Sequence, residues 1–210
     1  MAFIYALKCS LSAMSPSIEI DQIGELRLDT LKGVSARCVR GRMIRQLIIL
    51  RHGEAENGSG IEDFDRALSL RGYAEVELVA NWLLREKYVP DLILGSSAER
   101  AVATAFHAGR IFELDETEIT VDQSLYFATK TILLDLISKL PEEASRAMIV
   151  GHNPGLEDLV SSVGGYDSFA NAGGKMATAT VACLEFEGEW GEIMPMLPTL
   201  KFLKRPIDVL

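Results

Sequence analysis

Short apolar runs and longer amphipathic stretches alternate along the chain from about residue 43 onward. The runs at residues 47–50, 92–95 and 147–150 are too short for typical helices and suit strands that are buried on both faces of a sheet. Residues 119–121 and 178–186 are further strand candidates, rich in β-branched side chains. This alternation predicts an α/β fold, a three-layer sandwich with a mainly parallel central sheet.

The longer stretches carry apolar residues at helical spacing, most clearly at Val76, Val79, Ala80 and Leu83. Serine precedes the first two stretches, at position 69 and at positions 96 and 97, which favours N-caps there. Pro141 ends the third stretch, because proline cannot continue a helix. Helices are therefore predicted over residues 70–87, from about 99 to 112, over 129–140 and over 155–163.

Residues 1–42 depart from this pattern. Lys8 interrupts a mildly apolar start that no basic residue precedes, which is atypical of a signal peptide. Acidic residues between positions 19 and 29 are equally atypical of a transit peptide. We therefore predict an N-terminal extension over residues 1–42, poorly ordered or dispensable, and one domain over residues 43–210.

The composition narrows the class of protein. Hydrophobic residues make up 48% and charged residues 24% of the 210 residues, which is ordinary for a soluble globular protein. The formal net charge of −9 disfavours nucleic acid and anionic membranes as partners. Cys9, Cys38 and Cys183 have neither metal-site nor disulfide-framework spacing, which fits a reducing compartment, so we expect a cytoplasmic protein.

Two of the three histidines, His52 and His152, directly follow predicted buried strands, and each has a glycine beside it. Arg51 stands at the same strand end as His52, and Arg100 follows the strand at 92–95. The carboxyl ends of parallel strands meet at one sheet edge, where ligands bind. Two guanidinium groups and two imidazoles there suit a tetrahedral oxyanion, because arginine pairs with phosphate oxygens bidentately. A neutral imidazole among cations is also a good nucleophile toward phosphorus.

Two other interpretations stay open at this point. In the first, the histidines cap strands and the arginines pair with surface carboxylates. In the second, His52 and His152 bind a metal ion, although the neighbouring guanidinium groups would repel a dication. Such a site would take its carboxylate from Glu54, Asp63 or Asp65. The third histidine, His107, is predicted mid-to-late in a helix, where a surface or helix-terminus role is expected.

Three motifs stand at the strand ends: Arg51-His52-Gly53-Glu54, Ser97-Ala98-Glu99-Arg100-Ala101 with Thr104, and Gly151-His152-Asn153-Pro154-Gly155. Together they resemble the signature set of the histidine phosphatase superfamily, which includes phosphoglycerate mutase. The stretch at residues 65–69 before Arg71-Gly72, the Leu125-Tyr126 pair and the short domain resemble the SixA-type phosphohistidine phosphatase branch. The resemblance covers nearly everything from residue 43 to about 186 and implies a phosphoglycerate mutase-like fold.

The resemblance implies a covalent mechanism in which His52 attacks phosphorus and becomes phosphohistidine. It implies that Arg51, Arg100 and His152 bind the phosphoryl oxygens and stabilise charge during transfer. Water then releases phosphate. The superfamily mechanism implies no metal and no organic cofactor.

Further roles follow from the same resemblance. Arg66 matches an arginine of this branch that helps to bind phosphate, and the motif residues Gly53 and Asn153 complete the expected substrate-binding set. Many members place a carboxylic general acid shortly before a tyrosine such as Tyr126. Here a glutamine stands nearest to that place, and Asp122 beside it is the candidate acid.

We therefore expect a phosphatase that acts on phosphohistidine of a signalling or phosphorelay protein. The short loops suggest a shallow pocket that is open to a phosphorylated side chain. A phosphoramidate needs little help from a general acid, because its leaving nitrogen can be protonated before the bond breaks. The alternatives are a small-molecule phosphomonoesterase and a non-catalytic phosphate-binding protein. The expected partner is a phosphorylated protein or a small phosphorylated substrate.

Overall fold

The computed structural model describes residues 42–210 and three two-residue strands before them. These strands are β1 (Glu19–Ile20), β2 (Leu26–Arg27) and β3 (Cys38–Val39). β1 pairs with β2, and β3 pairs with the start of the following strand, both antiparallel. The rest of residues 1–42 lies outside the described residues, so the predicted N-terminal extension remains a prediction.

Within the described residues, six longer strands form the central sheet. They are β4 (Arg42–Arg51), β5 (Leu92–Ser96), β6 (Ile119–Asp122), β7 (Arg146–Gly151), β8 (Val181–Glu187) and β9 (Thr199–Lys204). Their order across the sheet is β6-β5-β7-β4-β8-β9. The first four in this order pair in parallel, and β8 and β9 are antiparallel additions. The predicted α/β fold with a mainly parallel sheet is confirmed.

Five helices lie against this sheet in the described part of the chain. They are α1 (Leu70–Arg85), α2 (Glu99–Ile111), α3 (Lys130–Ile137), α4 (Gly155–Val163) and α5 (Tyr166–Asn171). Four of them match predicted helices, and α5 is short and was not predicted. No helix among the described residues is long and apolar enough to cross a membrane.

Alternating side chains of β4 face two separate apolar layers. Ile48 and Leu50 pack with residues of α1 and α2, whereas Leu47 and Ile49 pack with residues of α3 and α4. All four side chains are at most 1% exposed. This arrangement confirms the three-layer sandwich and explains why the strand is a continuous apolar run instead of an alternating one.

Several element ends differ from the predictions, because tertiary contacts override local signals. α2 has Ala98 as its N-cap without a side-chain cap, so the predicted serine cap is wrong. Ser96 instead ends β5. α3 stops at Ile137 instead of residue 140. The strand predicted from residue 178 begins only at Val181, and Ala179 before it is left-handed, with φ of 53°.

Candidate active site

Adjacent strand ends bring the candidate side chains together. Arg51, the last residue of β4, is in register with Gly151, the last residue of β7, so His52 and His152 follow side by side. Their ring centroids are 4.9 Å apart. β5, on the other side of β7, leads into α2, whose second residue is Arg100. His52, His152 and Arg100 are all buried, which strengthens electrostatic interactions among them.

Arg100 joins the two imidazole rings. Its Nε donates to His52 Nε2 at 3.3 Å, and its Nη2 lies 3.4 Å from His152 Nδ1. A guanidinium group offers donors and no acceptor. Each of these ring nitrogens therefore accepts, so it carries a lone pair and no hydrogen.

His52 is fixed in the tautomer that a nucleophile needs. Its Nδ1 lies 2.7 Å from the carbonyl oxygen of Gly53, and because a carbonyl only accepts, Nδ1 is the donor and Nε2 is free of hydrogen. The pKa of His52 is lowered from 6.5 to about 4, by burial first and then by the charges of Arg100 and Arg51. The ring is thus neutral at pH 7, and its Nε2 lone pair accepts a hydrogen bond from Arg100.

His152 is held in the opposite tautomer. Its Nε2 donates to the hydroxyl of Ser96 at 2.8 Å, so Nδ1 carries the lone pair. Burial, followed by His52 and Arg100, lowers its pKa from 6.5 to about 3. Ser96 was missed as a site residue because its sequence position suits a helix cap; the pairing of β5 with β7 places it beside His152.

Arg51 is anchored by a distant loop. Its Nη1 donates to the carbonyl oxygen of Met176 at 2.8 Å. Asn153 donates to the same oxygen at 2.9 Å, and Glu157 accepts from both Asn153 and the Met176 backbone N–H. Within the described chain, Arg51 Nε is a buried donor without a hydrogen-bond partner. Burial lowers the pKa of Arg51, and Glu157 opposes that shift.

Asp63 connects Arg100 to two further side chains. One carboxylate oxygen accepts from Arg100 Nη2 at 2.9 Å and from the Tyr126 hydroxyl at 3.0 Å, and the other accepts from Arg66 Nη1 at 3.1 Å. Arg100 also donates to the Asp63 carbonyl oxygen. Burial alone would raise the pKa of Asp63, but these hydrogen bonds outweigh it and lower the pKa. The carboxylate is therefore ionised, and it is held in hydrogen bonds from Arg66 and Arg100.

The alternative of a metal site had assigned Asp63 as a possible ligand. In the described residues, no three His, Cys, Asp or Glu side chains are placed to hold a metal ion. The local signal that could have identified the actual role of Asp63 is the spacing of three residues to Arg66, which suits an ion pair.

Comparisons with known proteins identify relatives of this chain. A SixA protein of Agrobacterium tumefaciens, assigned as a phosphohistidine phosphatase, is 30% identical, and the match covers 77% of this chain and 98% of that chain with a TM-score of 0.67. The chain belongs to the SixA-like branch of the histidine phosphatase superfamily. It is accordingly a phosphatase with phosphorylated substrates. No family model matches the chain.

Two further matches are informative. The protein histidine phosphatase SixA complexed with tungstate is 23% identical and has the same fold, with a TM-score of 0.66 over 79% of this chain and 99% of that chain. An uncharacterized chloroplastic protein of Arabidopsis thaliana is 31% identical over 158 residues, which are 70% of each chain. The phosphoglycerate mutase-like fold predicted from the motifs is therefore confirmed.

Within this SixA-like site, Gly53 has a packing role that the sequence did not reveal. Its backbone N–H donates to Thr104 Oγ1 at 3.1 Å. A Cβ on Gly53 would lie 2.8 Å from the carbonyl oxygen of Gly72, near the start of α1, and a Cβ on Gly72 would lie 2.2 Å from that of Glu54. The two glycines let α1 begin directly against the turn that carries His52.

Two predicted binding residues, Arg66 and Asn153, hydrogen-bond to groups that surround the imidazole pair. Arg66 reaches Arg100 only through Asp63, and its Nε donates to the carbonyl oxygen of Glu56 at 3.0 Å. Asn153 supports the Met176 loop, and its Oδ1 is buried without a partner among the described residues. Their direct binding of substrate stays a prediction.

Asp122 has contacts that argue against its predicted role. Its Oδ1 accepts from the backbone N–H of Ser124 at 2.7 Å and from the Ser124 hydroxyl at 2.6 Å. These two hydrogen bonds lower the pKa of Asp122, so its carboxyl group has no proton to donate at neutral pH. The assignment of Asp122 as general acid stays a prediction that the lowered pKa does not support.

His107 does not reach the other histidines. It lies half-buried in the middle of α2, where its ring makes an edge-to-face contact with Tyr73 of α1 at 5.2 Å between centroids. The expected surface or helix-terminus role is therefore wrong, and His107 packs between two helices.

Proposed function

We propose that this SixA-like protein hydrolyses phosphohistidine on a signalling or phosphorelay protein, without a metal, through a covalent intermediate on His52. The observation that carries the proposal is the tautomer of His52: Nδ1 donates to the Gly53 carbonyl oxygen, and the lone pair of Nε2 accepts a hydrogen bond from Arg100, while the charge of Arg51 also acts on the ring. A neutral, oriented imidazole beside two cations suits nucleophilic attack on an anionic phosphoryl group.

The donors for the phosphoryl oxygens are available around this lone pair. Arg100 supplies Nε and Nη2, which contact the two imidazoles. Arg51 supplies its buried Nε, which has no hydrogen-bond partner among the described residues. The amino end of α4 follows His152 closely and adds the positive end of a helix dipole. Because these groups are held by other contacts, they need little reorganisation when charge develops in the transition state.

In the first step, His52 Nε2 forms a bond to phosphorus as the bond from phosphorus to the substrate nitrogen breaks. The electron pair of that bond goes to the leaving nitrogen. A phosphorylated imidazole that carries a proton on its second nitrogen departs as neutral imidazole, so the step needs no carboxylic acid. This chemistry supports phosphohistidine as the substrate, because Asp122 and Asp63 both have lowered pKa values.

In the second step, water attacks the phosphorus of phospho-His52, and the bond to Nε2 breaks. Inorganic phosphate leaves and the neutral ring is restored. The hydrogen bond from Nδ1 to the Gly53 carbonyl oxygen stabilises the positive charge that the ring carries while it is phosphorylated. Arg100 and Arg51 balance the negative charge of the phosphoryl oxygens throughout both steps.

The proposal is tested by trapping the intermediate and comparing substrates. Wild-type protein mixed with a phosphohistidine protein and rapidly denatured should carry acid-labile, alkali-stable phosphate, and His52→Ala should carry none. Turnover should be faster with the phosphohistidine protein than with phosphoglycerates or an aryl phosphate, and EDTA should not change it. Persistent labelling of His52→Ala, or loss of activity that added metal restores, would contradict the proposal.

A further inference from the structure

Phe127 lies at the edge of the site with most of its ring uncovered. The residue is 55% exposed. Its ring centroid lies 5.8 Å from that of His152 and 4.5 Å from that of Tyr126, and Tyr126 lies 5.5 Å from His152. Isolated exposed apolar side chains are ordinary on protein surfaces. This one instead extends the row of rings that begins with His52 and His152.

The backbone holds Phe127 in this position. Its φ is 48°, a left-handed conformation that bulky residues rarely adopt. The flanking residues Leu125 and Ala128 are 1% and 6% exposed, so both sides of the turn are anchored in the core. A Cβ on Gly155 would lie 1.9 Å from the Ala128 carbonyl oxygen, which means that the turn sits directly against the start of α4. The fold thus maintains a strained residue whose ring gains little burial, a combination that is characteristic of functional sites.

We propose that Phe127 is a specificity-determining residue whose ring stacks on a planar leaving group. A phosphoryl group held by Arg100 and His152 carries its substituent next to the rings that neighbour His152. An imidazole or phenyl substituent can stack there, whereas an aliphatic alcohol or a bare amine cannot. The inference rests on the proposed function and narrows its substrate to phosphoryl groups that are attached to an aromatic ring.

Two substrates with the same scissile bond separate the effect of the ring from that of the chemistry. Phosphohistidine and phosphoramidate both contain a phosphorus–nitrogen bond, but only the first has a ring. Phe127→Leu should lower kcat/KM for phosphohistidine by about threefold to tenfold, the usual range for one aromatic pair. Its kcat/KM for phosphoramidate should stay unchanged, and Phe127→Tyr should behave as wild type. Tyr166→Leu removes a ring that is 75% exposed on α5 and should change kcat/KM for neither substrate.

Non-hydrolysable ligands provide a second readout that does not depend on turnover. Wild-type protein should bind phenylphosphonate more tightly than methylphosphonate, and Phe127→Leu should remove that preference. If Phe127→Leu lowers kcat/KM equally for phosphohistidine and phosphoramidate, or keeps the wild-type ratio of phenylphosphonate to methylphosphonate affinity, the stacking role is excluded. If the wild type does not hydrolyse phosphohistidine but still prefers phenylphosphonate through Phe127, the proposed substrate fails and the ring-stacking inference stands. If phosphohistidine is hydrolysed and the ratio of its kcat/KM to that of phosphoramidate is the same in wild type and Phe127→Leu, the stacking inference fails while the proposed function stands.

Discussion

The Nε atom of Arg100 donates a hydrogen bond to Nε2 of His52 across 3.3 Å. The guanidinium group therefore covers the lone pair that we propose attacks phosphorus. The same group contacts His152 Nδ1 and the carboxylate of Asp63. An arriving phosphoryl group must take over donors from both imidazoles, so binding and activation of the nucleophile are coupled through one side chain.

Replacement of Arg100 should show this coupling. Arg100→Ala should lower kcat/KM. The loss should correspond to about 2–4 kcal/mol of transition-state stabilisation, the usual cost of losing one electrostatic donor. Arg100→Lys should recover only part of it, because lysine lacks the planar fork. The measurement is steady-state hydrolysis of an aryl phosphate. Arg205→Ala removes the same charge from a 55% exposed side chain and serves as the control. Equal turnover in wild type and Arg100→Ala would remove Arg100 from the mechanism.

Ser96 and Ser97 form a matched pair for testing the orientation of His152. Ser96 accepts from His152 Nε2 at 2.8 Å, whereas the buried Ser97 hydroxyl has no partner among the described residues. Ser96→Ala leaves the buried N–H at His152 Nε2 without an acceptor and should cost about 1–3 kcal/mol of unfolding free energy. Turnover should fall as well. The unfolding free energy of Ser97→Ala should stay within about 0.5 kcal/mol of the wild-type value. Urea unfolding of both variants checks this, and equal effects would contradict the assigned contact.

Binding of an oxyanion should take up a proton at His152. With a pKa of about 3, the ring is neutral at pH 7 and presents a lone pair at Nδ1. A bound dianion favours the protonated ring and raises that pKa. Tungstate affinity should therefore fall as pH rises from about 5 to about 8, across the range in which histidine can titrate. Calorimetry in buffers of different ionisation enthalpy measures the uptake. His152→Gln should abolish it, and zero uptake in wild type would refute the assignment.

The positions of His52, His152 and Arg100 could be predicted because each follows a local signal. A short apolar run ends in a histidine beside glycine, or an arginine lies in the first turn of a helix, and parallel pairing then gathers these ends at one edge. Ser96 could not be predicted in the same way. Its partner depends on β5 lying next to β7, which is a property of the strand order and not of the chain around Ser96.

Loop residues were harder to predict for a related reason. Asp63 lies in a polar segment without hydrophobic periodicity, so nothing in the sequence places its carboxylate on Arg100. The left-handed backbone of Phe127 is equally hidden, because its neighbours favour no particular turn type. Asp122 is a different case: a carboxylate near the expected place is predicted to be the acid, its hydrogen bonds go to Ser124, and the assignment stays a prediction.

Asp63 should act as a positioning residue that competes with the substrate for Arg100. Asp63→Asn removes the negative charge while keeping the shape, so tungstate should bind about 1.5-fold to fivefold more tightly, as expected for the loss of one partly exposed ion pair. The kcat for an aryl phosphate should fall, because Arg100 loses the partner that orients it. Asp65→Asn changes the same charge on an exposed residue and should alter neither value. Weaker tungstate binding by Asp63→Asn would contradict the competition.

Gly72 gives a case in which helix propensity and packing predict opposite signs. Propensity alone predicts that Gly72→Ala stabilises α1 by about 1 kcal/mol. The added Cβ would lie 2.2 Å from the backbone carbonyl oxygen of Glu54, which cannot yield without moving the turn after His52. We therefore expect a loss of about 1–3 kcal/mol in urea unfolding and reduced turnover. Gly191→Ala, whose Cβ meets nothing within 4 Å, should be neutral or slightly stabilising. A stabilised Gly72→Ala would show that α1 does not pack this closely.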